Sequence, residues 1–417
     1  MHQPNTAYGS DTLIEKIPAV VTPLENMGLD IIRTLGKRGI KVYGIDSDPN
    51  APGKYSKYCH FVKCPDPYID GGFPYLQFLV DFGKKLGGKA VLYPLKDHHV
   101  LLCSKERSTL KKYYEYVMPE EDTLISLTTK DGLQDIAEKF NIPAPRTIFI
   151  KDNQQIESVV KSVNYPVILK PSESTYWQNP RIERLLRSGL LSGSAKVILC
   201  NNTTELINFY NMIATIDDRL VIQEVIPGED SRLVYFSFYF NRQSKPLGIF
   251  AGRKYRIIPT GFGSASYVRS IRDHELEEIA YHLLFSIGYK GLGGIEFKKD
   301  PRDDQYKLIE FNTRFGMWDG LGVQCGVDLA YIAYCDAINI PVDPVFSYLE
   351  DIIWVDWQRD ARAAIEYMRK GELTFGKWMH SLKGEKKWAV YSKEDWRPGV
   401  AYTFSLVQKF LDRLRSQ

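Results

Sequence analysis

Two segments, Gly-Gly-Ile-Glu-Phe at 293–297 and Leu-Ile-Glu-Phe-Asn-Thr-Arg at 308–314, constrain the fold of this chain more than any other feature. Both mix apolar and polar residues at strand spacing, and the polar run Asp300–Gln305 lies between them, so together they predict an antiparallel hairpin. Alternation along a strand puts Glu310 and Asn312 on one face and Ile309 and Phe311 on the other. Folding about the turn brings Glu296 opposite Glu310, with Ile295 and Phe297 beside Phe311 and Ile309 on the buried side. Two carboxylates facing each other across a sheet repel, and a divalent cation between them removes that cost. Two carboxylates and an amide oxygen make a hard-ligand set suited to Mg²⁺ with bound phosphates. For the hairpin alone, a solvated polar face is the competing reading.

The surrounding chain has room for several cores. It has 417 residues, 44% hydrophobic and 25% charged, which at roughly 150 residues per domain suggests two to three domains. Lys plus Arg is 54 against 51 Asp plus Glu, a net charge of +3, too balanced for a chain held mainly by nucleic-acid phosphates. The scattered cysteines suit a reducing compartment. The opening Met-His-Gln-Pro-Asn-Thr lacks a basic stretch followed by an apolar one, and no apolar run approaches the roughly 18 residues of a membrane span. The expectation is a cytoplasmic, multi-domain α/β protein. His60, beside Cys59 and near Cys64, lacks a second Cys/His pair and reads as a strand edge.

Strand–helix alternation marks residues 1–120 as a doubly wound unit with a parallel sheet. Ile17–Thr22, Ile40–Ile45 and Ala90–Leu95 are its strands, and ligands are expected at their carboxyl ends. From 121 to 345 the pattern becomes α+β. Thr128 is expected to cap a helix running to Phe140, and short strands follow at Pro166–Lys170, Lys196–Cys200, Leu220–Val225, Val234–Phe240 and Leu247–Gly252. Residues of about 145–225 are expected to form a lid subdomain. The segment 346–417 is a Trp-rich, basic, helical extension, with nine Lys or Arg against four Asp or Glu from Lys377 onward. Its terminal helix Ala401–Arg415 is expected to pack on the body through Phe404, Val407 and Leu411; peripheral docking on an anionic membrane or another protein is the alternative.

Lysines stand where phosphate binders would be placed. Lys170 ends the apolar strand Tyr-Pro-Val-Ile-Leu-Lys-Pro, where a charge needs a partner. Lys130 sits in a first helical turn, where the helix dipole opposes its charge. Each taken alone also fits an ordinary surface lysine. The run Val-Ile-Gln-Glu-Val-Ile-Pro-Gly-Glu-Asp (221–230) joins a strand to a Pro-Gly turn. Its exposed backbone beside Val225 and Ile226 suits a flat heterocycle, and an acid past the turn suits a ribose.

Lys130, Lys170, Gln-Glu-Val-Ile-Pro-Gly-Glu-Asp, Glu296 and Glu310-Phe-Asn312, in that order, resemble the ATP-grasp superfamily over about residues 15–340. The carboxylate–amine ligase branch is the nearest, with peptidoglycan D-aspartate ligases; D-alanine–D-alanine ligase and biotin carboxylase are more distant. The resemblance implies an N-terminal α/β domain and two α+β subdomains clasping ATP. It also implies that Lys130 and Lys170 contact the phosphates, that Gln223 takes the adenine amino group, that Glu224, Val225 and Ile226 read the ring, and that Asp230 holds the ribose. Glu296, Glu310 and Asn312 would hold one or two Mg²⁺ ions. Arg314, with one or two of Arg253, Lys254 and Arg256, would neutralise the transferred phosphoryl group or hold a substrate carboxylate.

Two positions depart from the pattern. The stretch after Lys170 is Pro-Ser-Glu-Ser-Thr-Tyr-Trp, with hydroxyls in place of most glycines of a phosphate-covering loop, although 172–194 is still expected as a lid. Gly294 stands where D-alanine–D-alanine ligases carry an arginine.

The implied activity is ATP-dependent joining of a small carboxylate to a small amine, an amino acid or short peptide among them, through an acyl phosphate. A kinase or thioester-forming ligase on the same site, or a non-catalytic ATP-binding protein, are the alternatives, and a homodimer is left open. Asn26, Met27, Asp46, Asp97 and the stretch Pro259–Val268 are candidates for the substrate pocket, and Asp319 and Gln324 for contacts to the amine.

Overall fold

The structure, a computed structural model, describes residues 17–150, 156–171, 193–194, 197–216 and 220–415. Most of the expected lid, 172–192, lies outside the described residues, as do the side chains of Val407 and Leu411.

Among the described residues the strands form three sheets. The first contains β1 (Ala19–Thr22), β2 (Val42–Asp46), β3 (Cys59–Lys63), β4 (Ala90–Pro94) and β5 (Tyr114–Glu115), ordered β3-β2-β1-β4-β5. Every pairing in it is parallel, as strand–helix alternation requires. The sequence reading had placed no strand at β5, and His60 lies on edge strand β3.

The second sheet contains β6 (Thr147–Phe149), β7 (Val167–Pro171), β8 (Gly193–Ser194), β9 (Val197–Cys200) and β10 (Leu220–Glu224), all antiparallel, ordered β6-β10-β7-β9-β8.

The third sheet is built on β11 (Leu233–Phe240), β12 (Pro246–Ile258), β13 (Ser264–Ser270), β14 (Gly291–Lys299), β15 (Tyr306–Asn312), β16 (Ile353–Val355) and β17 (Lys386–Trp388), ordered β15-β14-β11-β12-β13-β16-β17. Central β11 is buried along its whole length. Its Val234, Phe236, Phe238 and Phe240 share one face and pack with Leu276, Ala280, Leu283 and Leu284 of the helix His274–Ser286. Phe238 meets Phe240, Tyr289 and Phe311 edge-on at 5.2–5.9 Å between ring centres, a favoured aromatic geometry. The opposite face, with Tyr235, is left for the functional cleft.

The segment expected as an appended extension is woven into this sheet. β16 pairs with β13, β17 pairs with β16, and Trp354 on β16 is fully buried. Buried Arg33 of the first helix bonds Asp395 (2.9 Å) and the Val390 carbonyl (2.7 Å), tying the segment back to the N-terminal unit. The last helix runs Arg397–Arg415, and Phe404 is 71% exposed, so Phe404 does not supply the expected packing. No helix among the described residues is long and apolar enough to cross a membrane.

The helix expected after a Thr128 cap runs Lys130–Lys139, preceded by Thr129 rather than Thr128. One helix ends at Thr128, whose hydroxyl donates back to the Leu124 carbonyl at 2.8 Å, and a new one starts at Lys130 after extended Thr129. Lys130 is therefore the first residue of its helix, where its charge is opposed by the exposed N–H groups.

Candidate active site

The carboxyl ends of β1 and β4, the faces of β7 and β10, and strands β12 to β15 enclose a cleft of about 700 Å³, within the usual range for small-molecule sites. Its acidic wall is the expected hairpin. Glu296 pairs directly with Glu310, Ile295 with Phe311 and Gly294 with Asn312. Beyond Glu296 the register slips and Phe297 pairs with Leu308, so Ile309 is the extra residue of a β-bulge. That corrects the expected partnership of Phe297 with Ile309: Leu308 takes the buried place and Ile309 lines the cleft beside Glu310.

The cationic wall comes from different elements. Lys130, Lys170 and Lys254 all line the cleft. Lys170 is buried, and its ammonium donates to Gln223 Oε1 at 2.6 Å, while Gln223 Nε2 donates to Thr147 Oγ1 at 2.8 Å. Burial, reinforced by the like charge of Lys130 and opposed by Glu310, holds the Lys170 pKa well below that of an ordinary lysine. Like charges gathered this way, with the carboxylates across from them, suit a bound polyanion. The Gln223 amide, expected on the adenine, is engaged with Lys170 and Thr147 and fixes the lysine's direction.

Of the three basic residues on β12, only Lys254 enters the cleft, where its ammonium pairs with the Glu296 carboxylate. Lys254 registers with Val268 but Arg256 with Tyr267, so a bulge at Tyr255 turns Arg256 to the other face. There Arg256 stacks over Tyr267, 4.0 Å from its ring centre, and grips Asp360 with two bonds of 2.7 and 2.8 Å. Arg253, one residue before Lys254, also faces away, 3.9 Å from Asp273. Arg253 and Arg256 are therefore withdrawn from the site. Arg256→Met strands the buried Asp360 charge and is expected to cost about 3–5 kcal/mol. Urea unfolding measures the loss, with nucleotide affinity unchanged.

Asp230 is likewise corrected. Its Oδ2 accepts from the Gly261 N–H (3.0 Å) and the Tyr367 hydroxyl, and it does not line the cleft. Glu224, Val225 and Ile226 do line it; Glu224 is tied to Arg302 at 2.7 Å.

Arg314 spans the two halves of the cleft. Its guanidinium donates to both oxygens of Asp97 (3.0 and 3.3 Å) and to Asn312 Oδ1 at 3.0 Å, and the Asp97 charge keeps it protonated. Gly294 has a steric reason: a Cβ there would lie 2.1 Å from the Tyr235 hydroxyl. The Tyr235 phenol thus fills the space that a side chain at position 294 would need.

A model of the carbamoyl-phosphate synthase L chain ATP-binding domain matches residues 265–343, the span that carries the Glu296–Glu310 hairpin. The chain is 23% identical over 295 residues to the D-aspartate ligase of Enterococcus faecium (strain Aus0004), covering 68% of each protein. Its fold matches the biotin carboxylase domain dimer of Hydrogenobacter thermophilus 2-oxoglutarate carboxylase, solved with MgADP, ADP and bicarbonate. That match has a TM-score of 0.57 and 16% identity, covering 77% of this chain and 69% of the other. N5-carboxyaminoimidazole synthetase from Staphylococcus aureus matches with a TM-score of 0.57 and 15% identity, over 80% and 79% of the two chains. The chain has the ATP-grasp fold. Its resemblances in sequence and fold are to ATP-grasp carboxylate–amine ligases.

Several residues of this ATP-grasp cleft escaped the sequence reading. Lys298 lines it and donates to the Gly228 carbonyl at 3.0 Å. Tyr68 and His98 line it as a stacked pair 4.6 Å apart. Asp356, Arg359 and Tyr402 bring the C-terminal segment into it. Lys298 shares alternation with Glu296, a signal that was legible; the others are brought in by tertiary folding alone. Among the substrate candidates, Asn26, Met27, Asp97 and 261–265 line the cleft. Asp46 does not: its carboxylate accepts from the Leu24 and Asp48 N–H groups at 2.7 and 2.8 Å. Gln324 bonds Glu385 on the outer surface.

Asp319 is buried behind the wall, accepting from Ser237 Oγ (2.7 Å) and the Gly316 N–H. Burial pushes its pKa up to about 6, against those bonds and Arg314. Stability from a carboxyl raised in this way is full below its unfolded value and lost as pH rises through about 6. Asp319→Asn, which does not titrate, is therefore expected to gain on wild type by up to about 3 kcal/mol between about pH 4 and pH 7. Urea unfolding at both pH values checks it; a constant difference contradicts it.

Proposed function

We propose that this chain joins a small carboxylate to a small amine at the expense of ATP, through an acyl phosphate. The observation that carries this is the meeting of Lys130, Lys170 and Lys254 with Glu296, Glu310 and Asn312 in one cleft. Lys130 and Lys170 hold the phosphates, and Val225, Ile226 and Ile309 wall the adenine. The register of Glu296 against Glu310 supports a metal site: two facing carboxylates and an amide oxygen fit a hard cation, and Lys254 partly neutralises them without one. Glu296, Glu310 and Asn312 would hold one or two Mg²⁺ ions, which when bound neutralise charge on the β- and γ-phosphates.

A carboxylate is a poor acylating agent because its leaving group would be oxide. Moving the γ-phosphoryl group onto it releases ADP and creates phosphate as the leaving group; attack by the amine then gives the amide and inorganic phosphate. Arg314, fixed between Asp97 and Asn312, is placed to hold the substrate carboxylate or the migrating charge. In this reading residues 1–120 shape the substrate site, 121–345 bind ATP with a lid at about 145–225, and 346–417 close one wall. The similarity to a D-aspartate ligase supports an amino acid as one substrate.

Hydroxylamine tests the intermediate. Supplied in place of the amine with ATP, Mg²⁺ and a carboxylate panel, it is expected to give a hydroxamate and stoichiometric ADP. A stable phosphorylated product instead would identify a kinase.

A further inference from the structure

Asp356 and Arg359 form a charged cluster on the cleft wall that the nucleotide chemistry does not use. Asp356 is 2% exposed and lies just before the helix Trp357–Arg369. Its Oδ1 accepts from the Arg359 N–H at 3.4 Å, capping that helix, and the Asn26 amide lies against the same carboxyl. Its Oδ2 is buried and finds no hydrogen-bond partner among the described residues. Arg359 stands one turn into the helix. Its Nε is also buried without a partner among the described residues, and its Nη2 reaches only the Ser264 carbonyl, at 3.5 Å. Tyr402 lines the cleft close enough to feel both charges.

A buried acceptor and donor left unmade are costly, and in a cleft wall they point to a ligand that completes them. The two groups have opposite charge, yet they are not joined in a side-chain salt bridge among the described residues. A phosphate would satisfy Arg359 but be repelled by Asp356. A simple amine would do the reverse. A molecule carrying an ammonium and a carboxylate on one carbon satisfies both.

We infer that Asp356 and Arg359 hold the α-ammonium and α-carboxylate of a free α-amino acid, making the C-terminal segment the specificity element of the cleft. This rests on the ligase reading and adds the substrate's chemical class and the residues that select it. Asn26, from the first βα turn, and Tyr402, from the last helix, complete the pocket.

Calorimetry on the full chain loaded with MgADP tests it, with a panel of L- and D-α-amino acids as probes. At least one is expected to bind, and its α-carboxamide and its desamino analogue to bind about 100-fold more weakly, as loss of a charge-assisted bond implies. Arg359→Met, and to a lesser extent Arg359→Lys, is expected to weaken the amino acid by a similar factor and to stop distinguishing acid from carboxamide. Asp356→Asn keeps the helix cap and is expected to stop distinguishing the amino acid from its desamino analogue. MgADP affinity should be unchanged in these variants. Wild type that binds MgADP but no panel member, or variants that keep both discriminations, overturns the assignment. Failure of wild type to bind MgADP overturns the ligase reading instead.

Discussion

Glu310→Ala is expected to abolish Mg²⁺-dependent ADP release while the protein stays folded. Glu310 faces Glu296 directly across β14 and β15, so both carboxylates occupy one cleft wall. Like charges placed opposite each other across a sheet destabilise it, and removing one relieves that repulsion. The same change takes away a hard oxygen donor from the proposed metal set and the carboxylate that supports the charge on Lys170. Lost stabilisation of phosphoryl charge is worth several kcal/mol, so turnover should fall by about 10³-fold or more. The melting temperature is expected to hold or rise. Circular dichroism and a coupled ADP assay on the same preparation measure both, and unchanged turnover would contradict the metal assignment.

Lys170→Met is expected to trade nucleotide affinity for stability. The Lys170 ammonium is buried, with the Gln223 carbonyl oxygen at 2.6 Å and the like charge of Lys130 nearby, and burial depresses its pKa. A lysine depressed in the folded state loses stability as pH falls through that depressed value. The charged form is therefore a cost at neutral pH. Methionine fills nearly the same volume without the charge, so the variant should unfold at higher urea at neutral pH. Its advantage should shrink as the pH approaches about 10, where the unfolded lysine also loses its proton. Bound phosphate favours the charged form of the lysine, an attraction that Lys170→Met removes. Affinity is expected to fall by about 100-fold, as for a lost charge-assisted bond. Calorimetry with MgADP reads the affinity, and urea unfolding reads the stability. Equal affinity would remove Lys170 from the phosphate site.

What the sequence showed was what local periodicity can carry. Glu296 opposite Glu310 followed from alternation and one turn, and the register agrees. The parallel first sheet followed from strand–helix alternation. Alternation failed at bulges, which leave no period to read: Ile309 faces the cleft and Arg256 faces away because one extra residue reverses the side-chain parity. Asp230 and Gln223 were read by their place in a pattern, yet their bonds to Gly261, Tyr367, Lys170 and Thr147 are set by chain segments distant in sequence. The C-terminal segment was the largest omission. Its tryptophans and basic residues suggested a surface attachment, while β16, β17, Asp356 and Arg359 build it into the large sheet and the cleft. Nothing local in the sequence marks that placement.

The central claim is that carboxylate and amine are joined at the cost of ATP. ADP release from ATP and Mg²⁺, measured with amino acids, dipeptides and amino sugars offered singly and in pairs, tests it most directly. The account predicts release that needs one carboxylate and one amine together, with inorganic phosphate and an amide as the other products. Full release with a single partner and a stable phosphorylated product, or tight ATP binding with no release for any pair, would contradict it.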